Sequence, residues 1–283
     1  MATEALGQAT GDSGGTSVTT GAADTKGAWV ELLASSSADT EWIDIFCYGP
    51  AAADNSFLLD IGVGAAASES VVIANIAFQA NSAQGTRIGI PLTIASGSRI
   101  SARAQADVST RTFEVSGHIS TESSYGTSAS NITLGADTAN SIGVPIDAGA
   151  TPNTKGAWAE VDASTSADID YFVVLIGPND NAVITAEAGF LIDIATGASS
   201  SEVVLIGDIE YRQNNLEVFF GREAPYFEAI ASGTRVAARC QSTESDATDR
   251  IIDVSIIGCN MTAPAGGGGG GIKLAGRGGG LAG

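Results

Sequence analysis

Histidine is almost absent from this chain. His118 is alone among 283 residues, and the three cysteines, Cys47, Cys240 and Cys259, form no CxxC pair. A Ser-His-Asp or Cys-His nucleophile would have to use that single imidazole, and no nucleophile-elbow motif accompanies it. Metal-ligand spacings, a P-loop and a dinucleotide fingerprint are missing as well. The glycine run from Gly266 to Gly271 leads into Ile-Lys-Leu rather than Lys-Ser/Thr. Charge is scarce: only 16% of residues are Asp, Glu, Lys or Arg, below the usual quarter. Basic residues are scarcest, 13 against 32 acidic ones, for a net charge of −19. They are scattered, which argues against a nucleic-acid partner, since phosphate contacts need Lys and Arg clusters. No apolar run reaches membrane-spanning length, so no membrane partner is expected. The start, MATEALGQATGDSGG, has neither a basic segment nor an apolar one. No signal peptide is expected there, and the chain is expected to fold in a cytoplasm.

What fills the space is Ala, Ser, Thr and Gly, beside 44% hydrophobic residues, enough for real cores. Small neutral side chains lose little entropy when a surface packs on a neighbour. No cofactor is expected. Calcium is the one ligand for which donors are in view, at Asp168 and Asp170 or at Asp246, Asp249 and Asp253, without an EF-hand loop or Gly-Gly-x-Gly-x-Asp repeat to hold it.

A repeated phrase dominates the rest. TKGAWVELLASSSAD begins at Thr25 and TKGAWAEVDASTSAD at Thr154. FLLDIG at Phe57 answers to FLIDIA at Phe190, ESVVIANI at Glu69 to EVVLIGDI at Glu202, and IASGSRISARAQ at Ile94 to IASGTRVAARCQ at Ile230. Self-similarity of this kind marks a repeated structural unit. Small insertions separate the matched blocks, as surface loops allow. The chain divides into an N-terminal arm at 1–15, a first copy at 16–120, a linker at 121–139, a second copy at 140–262 and a Gly-rich tail at 263–283. Between copies Cys240 answers to Ala104, and Cys47 to Val174 or Leu175, the pattern of small buried hydrophobes.

Local patterning is that of strands. EWIDIFCYG alternates, with Trp42, Asp44, Phe46 and Tyr48 on one side and Ile43, Ile45 and Cys47 on the other. DYFVVLIGP is continuously apolar, as suits a strand buried on both faces. Gly, Ser, Asn, Asp and Pro separate seven or eight such runs per copy. The expected fold is all-β: two tandem, homologous jelly-roll-like β-sandwiches followed by the Gly-rich tail, with immunoglobulin-like sandwiches as second choice.

The repeated residues suggest structural tasks. Trp29 and Trp158, in the first strong strand of each copy, are expected to anchor the cores. Arg99 and Arg103, and their counterparts Arg235 and Arg239, lie four apart and share one strand face. In an acidic protein they are expected to pair with local carboxylates. In the tail, Ile272, Leu274 and Leu281 offer small apolar anchors on a glycine-rich chain able to thread narrow grooves.

The blocks KGAWVEL, FLLDIGVGAA, ESVVI and IASGSRISARAQ resemble a repeated module in virion proteins of tailed bacteriophages, and the Gly-rich end is similar to ends of phage structural and fibre proteins. The resemblance covers both copies. It implies a non-enzymatic structural protein of the virion, a decoration, fibre or tail component. Its partners would be copies of itself, as a trimer or higher symmetry, and other virion proteins. The alternative is a host-recognition adhesin binding surface glycans through loop aromatics near Tyr125, Tyr211, Phe219 and Phe220. A glycoside-degrading enzyme would need paired carboxylates in a cleft.

Overall fold

The computed structural model describes residues 2–8, 14–49, 55–80, 85–122, 126–179, 187–213 and 225–262. Their regular structure is all β, with antiparallel strands throughout. The first half carries β1 (Thr3–Leu6), β2 (Thr16–Thr19), β3 (Val30–Leu33), β4 (Thr40–Tyr48), β5 (Asn55–Val63), β6 (Ser70–Ala80), β7 (Gly85–Ile94), β8 (Ile100–Ala106) and β9 (Thr112–Ser120). The second carries β10 (Thr127–Leu134), β11 (Val144–Asp147), β12 (Ala159–Asp162), β13 (Tyr171–Pro178), β14 (Ala188–Thr196), β15 (Val203–Gln213), β16 (Pro225–Tyr226), β17 (Val236–Ser242) and β18 (Ile251–Thr262).

In the first half β2-β9-β4-β7 form one sheet and β3-β8-β5-β6 the other. In the second, β11-β18-β13-β16 face β12-β17-β14-β15 in the same order. Two four-stranded sheets interleaved in this way are a jelly roll, not an immunoglobulin-like sandwich. The expected arm and linker each supply a further strand. β1 pairs with β9 beside β2, and β10 pairs with β18 beside β11. Both therefore belong to their sandwiches. They lie outside the matched blocks because an edge strand exchanging backbone bonds needs little particular sequence.

Alternation fills each core. Ile43, Ile45 and Cys47 point inward from β4, opposite Phe57, Leu59 and Ile61 of β5. Phe57, Phe78 and Phe113 meet at ring separations of 4.9 to 5.0 Å. Phe172, Val174 and Ile176 of β13 fill the second core with Phe190 and Tyr211. Register places Ile176, opposite Val254, where Cys47 stands opposite Val115, so the apolar counterpart of Cys47 is Ile176 rather than Val174 or Leu175. All three cysteines are free thiols in apolar surroundings. Burial pushes each thiol well above its ordinary value, Cys240 to about 12.

β13 is buried along its whole length. Phe172, Val174 and Ile176 serve their own core, while Tyr171, Val173 and Leu175 join an apolar cluster continuous with the first core. Ile257 and Cys259 of β18 extend that face. β10 thus seats on β6 and β7 of the first sandwich, with the outer face of β13 against β6. Polar bonds fix the seat. Asn131 donates to the Pro91 carbonyl (3.2 Å), Gln79 to that of Pro178 (3.1 Å), and Gln105 to that of Thr138 (2.8 Å). Thr133 also donates to the Ala74 carbonyl.

Candidate functional sites on the sheet faces

The repeated phrases converge on the outer face of the β3-β8-β5-β6 sheet and on its equivalent in the second half. Asp60 of β5 is buried and points away from the core. It accepts from Lys26 Nζ at 2.7 Å, Arg103 Nε at 3.0 Å and the Asn75 backbone N–H at 2.9 Å. Asp193 does the same with Lys155 (2.7 Å), Arg239 (2.9 Å) and the Asp208 N–H (3.1 Å). Each lysine also donates to a β5 or β14 carbonyl, at Leu58 or Leu191. Asn75 and Asp208 have positive φ, 51° and 57°. They sit where the register of β6 and β15 shifts, so the bulge frees an N–H that the carboxylate takes.

Trp29 lies over this cluster. The Arg103 guanidinium stands 4.5 Å from its ring centroid, and Arg239 stands 4.4 Å from that of Trp158. Both indoles are half-buried on the outer sheet face and neither enters a core, against expectation. The reason is chain direction: β3 and β12 begin just after the tryptophans, which therefore cross the outside of the sheet. A Cβ on Gly62 would come 2.6 Å from the Trp29 ring, which shows how closely the indole lies on β5.

Arg99 and Arg235 brace the adjacent corner. Arg99 pairs with Glu31 and Glu69, both at 2.7 Å, and Arg235 with Glu160 at 2.7 Å and Glu202 at 3.1 Å. Burial alone would raise the Glu69, Glu202 and Asp193 carboxyls. Hydrogen bonds from the arginines, from Lys155 and from backbone N–H groups hold all three below their usual range. Burial likewise pulls the Lys26 ammonium down, against the attraction of Asp60. Every cation here has a carboxylate at hydrogen-bond distance, so the arrangement cross-links strands. The lysines, aspartates and glutamates were missed as partners, although each stands in a block shared by both copies.

The carboxylates considered for calcium are engaged elsewhere. Asp168 accepts from the Ser232 N–H, Asp170 from that of Met261, and Asp246 from Thr248. Asp253 accepts from the Asn179 amide. Among the described residues no three His, Cys, Asp or Glu side chains cluster to hold a metal. Tyr211 is buried in the second core and does not present a loop aromatic; Tyr125, Phe219 and Phe220 lie outside the described residues, as do Ile272, Leu274 and Leu281.

A second sheet face carries aromatic and charged side chains. On the outer side of β4, Trp42, Asp44, Phe46 and Tyr48 form a row. Arg87 lies 5.2 Å over the Phe46 ring and pairs with Asp44 at 3.2 Å, and exposed His118 meets Phe46 edge-on at 6.4 Å. A hollow of about 460 Å³ opens there between Phe46, Tyr48, Arg87 and Ser116.

No protein-family model matches the chain, and no curated protein does. Among solved structures it is similar to the tandem CBM22 domains of Paenibacillus barcinonensis Xyn10C, at 10% identity over 91% of this chain and 90% of that one, TM-score 0.27. It is also similar to PNGase F of Flavobacterium meningosepticum, a glycosylasparaginase, at 10% identity over 93% and 97%, TM-score 0.37. Likeness this low leaves the strand order of the chain itself as the ground for its fold.

Proposed function

We propose that the protein is a non-enzymatic structural component of a tailed-bacteriophage virion, built from rigid jelly rolls that assemble through their sheet faces. One observation carries this reading. Tyr171, Val173, Leu175, Ile257 and Cys259 on the outer face of a sheet in the second sandwich join the apolar cluster of the first, so docking of one such module on another is already used within the chain. The charged residues best placed for chemistry are committed to strand-bracing pairs, and His118 stands on an open sheet face rather than in a cleft. The repeated blocks and their resemblance to virion modules support a place in the virion. Electron microscopy of phage particles labelled with antibody against this chain tests it. Label at a fixed place on the particles is expected; label confined to unassembled lysate protein overturns the reading.

A further inference from the structure

Where β10 crosses β6 and β7, the seam between the sandwiches carries a hollow of about 680 Å³. Val71, Val72 and Leu92 of the first sandwich make one wall, and Thr127, Ser128 and Asn131 of β10 make the other. Val71 is 43% exposed, Val72 half-buried and Leu92 buried. The polar groups beside them are already engaged. Asn131 donates to the Pro91 carbonyl at 3.2 Å, Thr93 to that of Ser128 at 3.2 Å, and Ser128 to Asn131 Oδ1 at 2.8 Å. What the hollow offers a further occupant is therefore aliphatic surface, rather than the convergent polar groups that would recognise a sugar or an ion.

The tail of the chain begins at this wall. β18 ends at Thr262, which pairs with Thr127, and Met261 pairs with Ser128. Met261 packs against the same apolar cluster as Val72. Because β10 and β18 run antiparallel, the chain leaves past the Thr127 end of the hollow, and it must reverse to lie over Ser128 and Asn131. Residues 263–283 lie outside the described residues, and their sequence suits that path. Gly266 to Gly271 have no Cβ to restrict a reversal, and Ile272-Lys273-Leu274 follows them. In an extended segment Ile272 and Leu274 fall on one side and Lys273 on the other. Ile272 comes ten positions after Thr262. A flexible chain of that length spans about 17 Å, which keeps it near a wall that starts at its root.

We infer that residues 272–274 dock in this hollow of their own chain, Ile272 and Leu274 against Val71, Val72 and Leu92, and Lys273 toward water. One wall of the hollow comes from each sandwich, so the docked tail is a clip across the seam, added to the polar bonds already there. Two aliphatic side chains make a contact that opens and closes readily, so the clip is releasable. This goes beyond the assembly reading above and does not rest on it, because its grounds are the end of β18, the hollow and the tail sequence.

The test reads one thiol in the full chain. The native cysteines are buried free thiols, so Val71→Cys supplies the reactive one. Its maleimide labelling is expected to speed up at least about tenfold when Ile272→Glu and Leu274→Glu are added. Both tail substitutions lie beyond the last strand, so folding is kept, and thermal melting verifies it. The Val71→Cys change itself weakens the contact, so a reverse measurement keeps Val71 in place. Trypsin cleavage after Lys273 is expected to be at least about tenfold slower in wild type than in Val71→Glu. A difference in the expected direction in either comparison supports the docked tail, and equal rates in both overturn it. Thiol protection that survives the tail substitutions and is lost with Tyr125→Ser puts residues 123–125 in the hollow and overturns it too. Protection that falls away on dilution seats the tail of a second copy there, and overturns docking within one chain. Antibody labelling of particles bears on the virion reading alone, and these rates on the tail alone.

Discussion

Asp60 and Asp193 show why a few charged residues recur in a chain so poor in charge. Each is a buried carboxylate between a lysine and an arginine, closed by a bulge N–H. Replacing well-packed apolar groups by such a pair gains little, but removing one partner leaves the others uncompensated. Asp60→Asn keeps the shape and removes the charge facing Lys26 and Arg103. A loss of about 3 kcal/mol in chemical denaturation is expected, with Asp193→Asn acting equally and the two adding to within about 0.5 kcal/mol, since they share no partner. Losses under about 1 kcal/mol would reduce the cluster to an ordinary surface pair. Trp29 gives the opposite kind of test. A core tryptophan truncated to alanine costs about 3–5 kcal/mol. Trp29 lies outside, on Gly62 and under Arg103, so Trp29→Ala is expected to cost about 1–2 kcal/mol, from a cation–π contact and partial burial. A core-sized loss would contradict that position.

Among the elements, β13 was the most legible. Its unbroken apolar run called for burial on both faces, and both faces are buried, one in its own core and one on the first sandwich. β4 was legible by alternation, which put Trp42, Asp44, Phe46 and Tyr48 on one side and the core residues Ile43, Ile45 and Cys47 on the other. Strand number and spacing pointed to a jelly roll first, and the strand order bears that out. β1 and β10 were not legible, because Thr-Glu-Ala-Leu is too short to show a period and β10 is mostly Thr, Ser and Asn, with only Ile132 and Leu134 as large apolar residues. The outward tryptophans were missed because an apolar ring beside a strand reads as core until the strand's first residue is known. The braces were half legible: Arg99, Arg103, Arg235 and Arg239 stood out, but their carboxylates come from other strands, and register alone brings them together. These braces predict a pH response. Glu69, Glu202 and Asp193 are held below their usual values when folded, so the unfolded chain binds more protons in acid. Their contribution is complete above the unfolded carboxyl values, about 4, and is lost as pH falls through the folded ones. Melting temperature should therefore drop from pH 5 toward pH 3, and the drop should shrink in the Glu69→Gln/Glu202→Gln variant. An equal drop in both proteins would place the acid sensitivity elsewhere.

At the scale of the whole molecule, the two sandwiches share an architecture but differ in what their equivalent faces meet. Tyr171, Val173, Leu175 and Ile257 are covered by the first sandwich; on the equivalent face Trp42, Asp44 and Phe46 are half-buried and His118 is exposed. The two copies present equivalent faces, and the first carries Asp44 and His118 where the second carries Val173 and Ile257. Separating the halves should expose the difference. A fragment of residues 2–122 contains β1 through β9 and a core with its own aromatic cluster, and is expected to fold and remain soluble. A fragment of residues 126–262 has an equally complete sandwich but uncovers a contiguous apolar sheet face, and surfaces of that kind associate. It is expected to aggregate, or to run as an oligomer, at concentrations where the first fragment is monomeric. Val173→Asp with Ile257→His transfers the outward chemistry of the first face to the second. In the isolated fragment the exchange should restore solubility. In the full chain the same exchange buries an Asp and a His against the first sandwich, and about 3 kcal/mol of the contact should be lost, read as separate unfolding transitions where one is expected for wild type. A fragment 126–262 that is soluble and monomeric without the exchange would show that its apolar face does not need the first sandwich, and the premise that these modules work by covering one another would fail with it.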